Sequence, residues 1–183
     1  MGDYIRTVVE TRGQNGWRES TTAVFTNDPT WPGHDSTELT QYAFFWQSYT
    51  MFSLFAGVRT RDHGIDPIAP NRGLPDDASD DALHHILGGW GDRAGFSWLH
   101  SEEDFKTVGQ KVANRNDADS FGFSWIGAAE LLAVDYDALI TPMDDPTETM
   151  PLRDALGRRF FEHLEQLAKL GSPADVRILF CFS

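Results

Sequence analysis

Three arginines stand close together in a stretch rich in glycine and proline: Arg59, Arg61 and Arg72. A guanidinium grips a phosphate through two parallel hydrogen bonds or stacks flat on a base, so this stretch is a candidate anion site. Arg72 has an equally physical alternative, which is to hold its own loop by bonding carbonyls while Gly73 and Pro75 shape the turn. Aromatic side chains come next. Gly-Phe-Ser-Trp occurs twice, supplying Phe96, Ser97 and Trp98 and then Phe123, Ser124 and Trp125. An aromatic face stacks a nucleobase for about 1–3 kcal/mol, and burial of the same ring in a core contributes a similar amount, so energetics leave both readings open. Neither Ser97 nor Ser124 sits in a G-x-S-x-G turn, and no histidine spacing argues for a triad. Asp80, Asp81, His84 and His85 place carboxylates and imidazoles about one helical turn apart, which suits a divalent metal, with Asp81, His84 and His85 as the ligand candidates. Acids at a helix start and histidines near its end also follow from the helix dipole alone. His63, beside Asp62, is an isolated candidate general base. Cys181, in an apolar run, reads as a small buried hydrophobe.

The elements that would carry these residues can be read from periodicity. Residues 3–12 alternate, Asn15-Gly16 follows, and 17–25 form a second β-branched run, which together predict a hairpin. Residues 26–37 are a Pro-, Gly- and Asp-rich loop. Tyr49, Phe52, Phe55 and Ala56 fall at helical spacing after a capping Ser48. A long irregular connection covers 59–78, and Ser79 then caps a helix closed by Gly88-Gly89. Each Gly-Phe-Ser-Trp copy reads as an extended piece entering a helix, over 95–112 with a Ser101/Asp104 capping box and over 122–136, a possible β-α echo. After a polar loop at 141–150, Pro151 opens a long helix whose buried stripe is Leu152, Leu156, Phe160, Leu164 and Leu167. The last run, 176–182, is apolar on both faces and predicts a central strand. The expected class is α+β, one domain over 1–183: a hairpin near the start, several short helices, a long amphipathic helix and a central closing strand in one mixed sheet.

Composition bounds the function. The 183 residues suit one domain, and 40% hydrophobic content lies within the globular range. Six Trp and thirteen Phe are a generous aromatic supply. The formal charge of −13, with a pI near 4.7, argues against duplex DNA or RNA and against an anionic membrane surface, both of which require a basic face. A small phosphate-bearing ligand remains compatible, because a few local arginines outweigh a distant, salt-screened field. One cysteine permits no internal disulfide. No basic-then-apolar leader follows Met1, and no apolar run approaches membrane-spanning length, so the expected location is the cytoplasm.

Three segments together resemble a family of uncharacterised proteins encoded by bacteriophages and prophages. They are GDYIRTVVETRG at 2–13, YTMFSLFAGVR at 49–59 continued by IAPNRGLPDDAS at 68–79, and GFSWIGAAELLAVDY at 122–136. The matches cover roughly a third of the chain. The family carries histidine in the third element where this chain has Phe121 and Phe123, so no role of those histidines carries over. The resemblance implies a phage origin, host-cytoplasmic location and, by analogy of genome context, a counter-defence role. Taken with the residues above, the leading expectation is a binding protein that sequesters a small anionic ligand of cyclic-nucleotide type. Arg59, Arg61, Arg72, Phe96, Trp98, Phe123, Ser124 and Trp125 would form its site. It would need no cofactor, and the aromatic supply suggests self-association. The alternatives are a metal-dependent phosphodiesterase using the 80–85 cluster and an acidic module that inhibits a host protein.

Overall fold

The computed structural model describes residues 4–27, 37–89 and 100–183. Its strands are β1 (Ile5–Gly13), β2 (Gly16–Glu19), β3 (Phe25–Thr26), β4 (Leu39–Thr40), β5 (Phe121–Gly127), β6 (Leu139–Ile140), β7 (Met150–Pro151) and β8 (Val176–Phe182). Its α-helices are α1 (Tyr49–Ala56), α2 (Asp80–Ile86), α3 (Val108–Ala113), α4 (Ala128–Leu132) and α5 (Leu152–Ala168). The class is α+β, as the sequence predicts. The main sheet runs β2-β1-β8-β5, and every pairing in it is antiparallel, where a mixed sheet was expected.

Both faces of this sheet are covered, which is why all seven residues of β8 are buried. Ile178, Phe180 and Phe182 point to one side with Ile5, Val9 and Ile126, and they meet Phe52 and Phe55 of α1, behind which Phe160 of α5 joins the same core through Phe55. Leu179 and Cys181 point to the other side with Val8, against Ala82, Leu83 and Ile86 of α2. The predicted caps form. Ser48 accepts from the Met51 N–H, and Ser79 accepts from the Ala82 N–H. The stripe Leu152, Leu156, Phe160, Leu164 and Leu167 is buried throughout. No helix among the described residues is long and apolar enough to cross a membrane.

Four local expectations are revised. The hairpin turn centres on Gln14 and Asn15, one residue early, and Gly16 takes the positive φ of +90°. The strand expected over 17–25 stops at Glu19, where the Ser20 hydroxyl accepts from the Thr22 N–H and competes with the ladder. The helix expected after Ser101 divides into a 3₁₀ turn, Glu102–Phe105, and α3, because Thr107 and Gln110 build a second capping box. Helix α5 is interrupted at Gly157 (φ +77°, ψ 170°). Of the repeated tetrapeptide, the second copy lies on β5 and leads into α4, while Phe96, Ser97 and Trp98 lie outside the described residues.

A register shift between Phe121 and Ser124 places a bulge in β5, with Gly122 at φ +64°. A Cβ there would approach Phe182 Cδ2 to 2.9 Å. Gly122→Ala is expected to lower stability by about 1–3 kcal/mol, from left-handed strain and overpacking together. Urea denaturation with an unchanged slope checks this, and a shift below a few tenths of a kcal/mol would contradict the bulge.

Candidate functional site

Five charged and aromatic groups stack across the sheet face that carries α2. Arg12 lies 5.3 Å from the Trp17 ring centre, and Arg177 lies 3.9 Å from the same ring. Arg177 is also 5.8 Å from Trp125, whose ring lies 4.9 Å from Arg72. Register explains the alternation. Glu10 faces Arg177 across β1 and β8, Arg12 faces Trp17 across β1 and β2, and Trp125 faces Leu179 across β5 and β8. Glu10, then Arg72 and Asp77, then Trp125 and Glu130 come from the three segments singled out in the sequence, and the fold brings them to one place.

Arg72 and Trp125 are therefore neighbours, but Arg72 is fully engaged. Its two terminal nitrogens bond Glu130 at 2.8 and 2.9 Å, and they also reach the carbonyls of Trp125 at 3.3 Å and Ile68 at 3.1 Å. Glu130 also accepts the Gly127 N–H at 2.9 Å. The bond from Arg72 is the main reason the Glu130 carboxyl sits below its ordinary pKa, and the same bond raises that of Arg72. This is the loop-fixing arrangement, realised with a carboxylate from α4. Ser124 is fully buried and donates to the Ala69 carbonyl at 2.8 Å. Phe123 packs with the α2 layer beneath the Arg115 guanidinium. Arg61 lies over the Tyr49 ring at 4.4 Å, and Arg59 sits exposed at φ +54°. Phe96 and Trp98 lie outside the described residues.

A concavity with room for a guest lies elsewhere. A groove of about 660 Å³ runs along β1 and is lined by Tyr4, Ile5, Arg6, Thr7, Val8, Asn27, Thr40, Tyr42, Phe45, His85 and Ser183. It exists because β2 ends at Glu19 while β1 continues back to Ile5, so that among the described residues no strand pairs with the first half of β1 on that side. Segment 40–45 forms the opposite wall, anchored where the Thr7 hydroxyl donates to the Ala43 carbonyl. A guanidinium and an imidazole face the groove, each backed by a carboxylate. Arg6 donates to Asp117 at 2.7 Å and to the Ile86 carbonyl at 3.1 Å. His85 donates from Nδ1 to both oxygens of Glu19, at 2.7 and 2.8 Å, which leaves Nε2 as its other polar atom. Glu19 is nearly buried and also accepts from Gln41. Burial, and then the charge of Glu19, raises the Tyr42 phenol pKa, so this hydroxyl stays a donor at neutral pH. Three rings, Tyr4, Tyr42 and Phe45, complete the lining. A cavity of this size, with ring walls and a few convergent polar groups, has the form of a small-molecule site.

The chain matches no family model, no curated protein and no solved structure. The 80–85 cluster does not assemble. His85 turns to Glu19, Asp80 pairs with Lys111 at 2.7 Å, and Asp81 and His84 are exposed. Among the described residues no three of His, Cys, Asp or Glu converge as a metal site. Sequence reasoning missed Arg6, Tyr42, Phe45 and the Glu19–His85 pair. The one sequence signal pointing to them is the mismatch between a long β1 run and the Ser20-Thr21-Thr22 break that ends its partner.

Proposed function

We propose that the protein binds and sequesters a small anionic ligand of cyclic-nucleotide type, and that the ligand lies in the groove along β1 rather than between Arg72 and Trp125. The observation that carries this reading is the joint lining of that groove by three aromatic rings, the Arg6 guanidinium and the His85 imidazole. Rings supply sequence-tolerant stacking on a base, Arg6 supplies a charge-assisted donor to a phosphate, and the His85 imidazole adds a second polar contact. Arg6 is held by Asp117 and His85 by Glu19, which fixes both side chains beside the groove. The resemblance to phage-encoded proteins supports the biological half of the proposal: a phage product that withdraws a host immune signal needs tight binding and no turnover.

Calorimetric titration with 3′,5′-cyclic AMP, 3′,5′-cyclic GMP and cyclic di-AMP tests it. At least one should bind, and Tyr42→Ala should weaken that binding about tenfold, as loss of one stacking face predicts. Arg72→Ala should leave it within about twofold, because Arg72 lines a different region. Ligand recovered chemically intact after denaturation supports sequestration, whereas recovery of product would favour the hydrolase alternative. Failure of all three to bind would remove the proposal.

A further inference from the structure

We infer that Arg72 and Glu130 form a latch over the outer edge of β5, holding shut a strand-pairing surface that fits a second copy of this chain. β5 is an outermost strand of the main sheet. Tyr4 and Ser183 exchange both main-chain bonds, at 2.8 and 3.0 Å, so by alternation Leu179 and Arg177 also bond to β1. Trp125 and Gly127 lie opposite Leu179 and Arg177, so their own N–H and C=O point away from β8, out of the sheet. Two of those groups are met by side chains. The Trp125 carbonyl accepts from Arg72 Nη1 at 3.3 Å, and the Gly127 N–H donates to Glu130 Oε2 at 2.9 Å. Arg72 Nη1 and Glu130 Oε2 are themselves joined at 2.8 Å. The pair therefore offers the edge a donor beside an acceptor, as one residue of an added parallel strand would.

The two edges of the sheet differ in their need for such cover. β2 is four residues long and carries the exposed Arg18, and a short, charged edge resists pairing. β5 is seven residues long, holds no charged side chain, and starts at Phe121, which is 43% exposed. A long, uncharged edge is a template for another strand. The bulge at Gly122 bends the start of β5 out of register, and the latch covers the remainder. The latch is tied down on its own strand. The Ser124 hydroxyl donates to the Ala69 carbonyl at 2.8 Å, and Arg72 Nη2 donates to the Ile68 carbonyl at 3.1 Å. The side chains of Arg72 and Glu130 are 29% and 38% exposed, so removing one opens the edge to solvent and to a partner. A second copy suits that edge because two β5 strands about a twofold axis run antiparallel, as every neighbouring pair in this sheet does.

Glu130→Ala and Glu130→Gln separate edge closure from charge, since both remove the carboxylate charge and only alanine removes the acceptor. Sedimentation velocity over a concentration series reads association, and hydrogen exchange of the Gly127 amide reads the edge itself. Glu130→Ala should self-associate about tenfold or more tightly than wild type, as a discrete dimer that gains main-chain bonds at each β5. Its Gly127 amide should exchange faster than in wild type when dilute and regain protection as concentration rises. Glu130→Gln should associate within about twofold of wild type, because its amide oxygen still accepts the Gly127 N–H. A folded Glu130→Ala that associates no more than wild type, or a Glu130→Gln that associates as strongly as Glu130→Ala, would overturn the latch. So would a dimer that leaves Gly127 unprotected, since it would use another surface. Should Glu130→Ala not fold, Arg72→Ala decides, because it strips the donor from the Trp125 carbonyl: association with Gly127 protected is expected, and its absence would overturn the inference. β8 separates β5 from β1, so nucleotide binding along β1 stands or falls by its own titration.

Discussion

Arg177→Ala should cost about 3–5 kcal/mol of stability, among the largest effects of any single substitution in this chain. Arg177 is 3% exposed and donates from Nε to Glu10 at 2.7 Å. Glu10 is wholly buried, and its second oxygen accepts the N–H of Ser79, the residue that caps α2. Removing the guanidinium would strand a buried carboxylate with a single main-chain donor and take away the cation between Trp17 and Trp125. The other partner, Asp77, is largely exposed and contributes little to the loss. Equilibrium urea denaturation followed by tryptophan fluorescence reads the effect directly, and a melting temperature lower by about 10 °C should accompany it. The double variant Glu10→Leu/Arg177→Met should recover most of the loss, because a buried ion pair can be replaced by packed apolar groups at small net cost. A single-variant loss below 1 kcal/mol would mean that Glu10 finds water or another partner.

Acid should unfold the protein partly through His163. This imidazole is fully buried among Phe25, Phe44 and Trp46. Nδ1 accepts the Phe44 N–H at 3.1 Å, and Nε2 donates to the Thr26 carbonyl at 3.0 Å, so the ring is neutral with its proton on Nε2. Burial pushes its pKa down to about 4 from an ordinary 6.5. Between those values the unfolded chain binds a proton that the folded chain refuses, so stability falls as pH drops from about 6.5 to about 4 and this contribution levels off below. The two and a half pH units correspond to about 3 kcal/mol. Paired carboxylates titrate over the same range, so the test is differential. His163→Gln keeps an acceptor and a donor without the titration, and its deficit against wild type at pH 7 should shrink by about 3 kcal/mol at pH 4. A constant deficit across that range would show that the ring does not refuse the proton.

His163 also explains a backbone outlier that no sequence pattern announces. Phe44 adopts φ +55°, and its N–H is the one His163 accepts, so the imidazole offsets the strain of a left-handed aromatic residue. That bond spans 119 positions in the chain. Local features, by contrast, were legible. Ser48 and Ser79 announce their helices through hydroxyls that satisfy nearby N–H groups. Strand β8 announces its central place by being apolar on both faces, and the Leu152–Leu167 stripe keeps helical period through a glycine that breaks the backbone. What escaped were the pairings that bring distant segments together, such as Arg72 with Glu130 and Arg177 with Glu10.

The candidate site divides along the same line. Arg72 and Trp125 do meet, as their chemistry suggested, but the guanidinium is spent on Glu130 and on carbonyls. On helix α2, periodicity correctly made Asp81 and His85 neighbours, yet it could not show that His85 would turn to Glu19 on β2. The groove was invisible because it is made by a strand that stops early: a β-branched run over 17–25 reads as continuous, while the Ser20 hydroxyl ends it at Glu19 and exposes the flank of β1.

Mapping the binding site by amide chemical-shift changes is the most direct test of the central claim that a nucleotide lodges against β1. With ¹⁵N-labelled protein and saturating cyclic di-AMP, or whichever cyclic nucleotide binds most tightly, the largest shifts should fall on residues 4–8, 40–45 and 85, with those of Arg72, Trp125 and Glu130 small. Shifts centred on Arg72 and Trp125, with residues 4–8 unmoved, would contradict it.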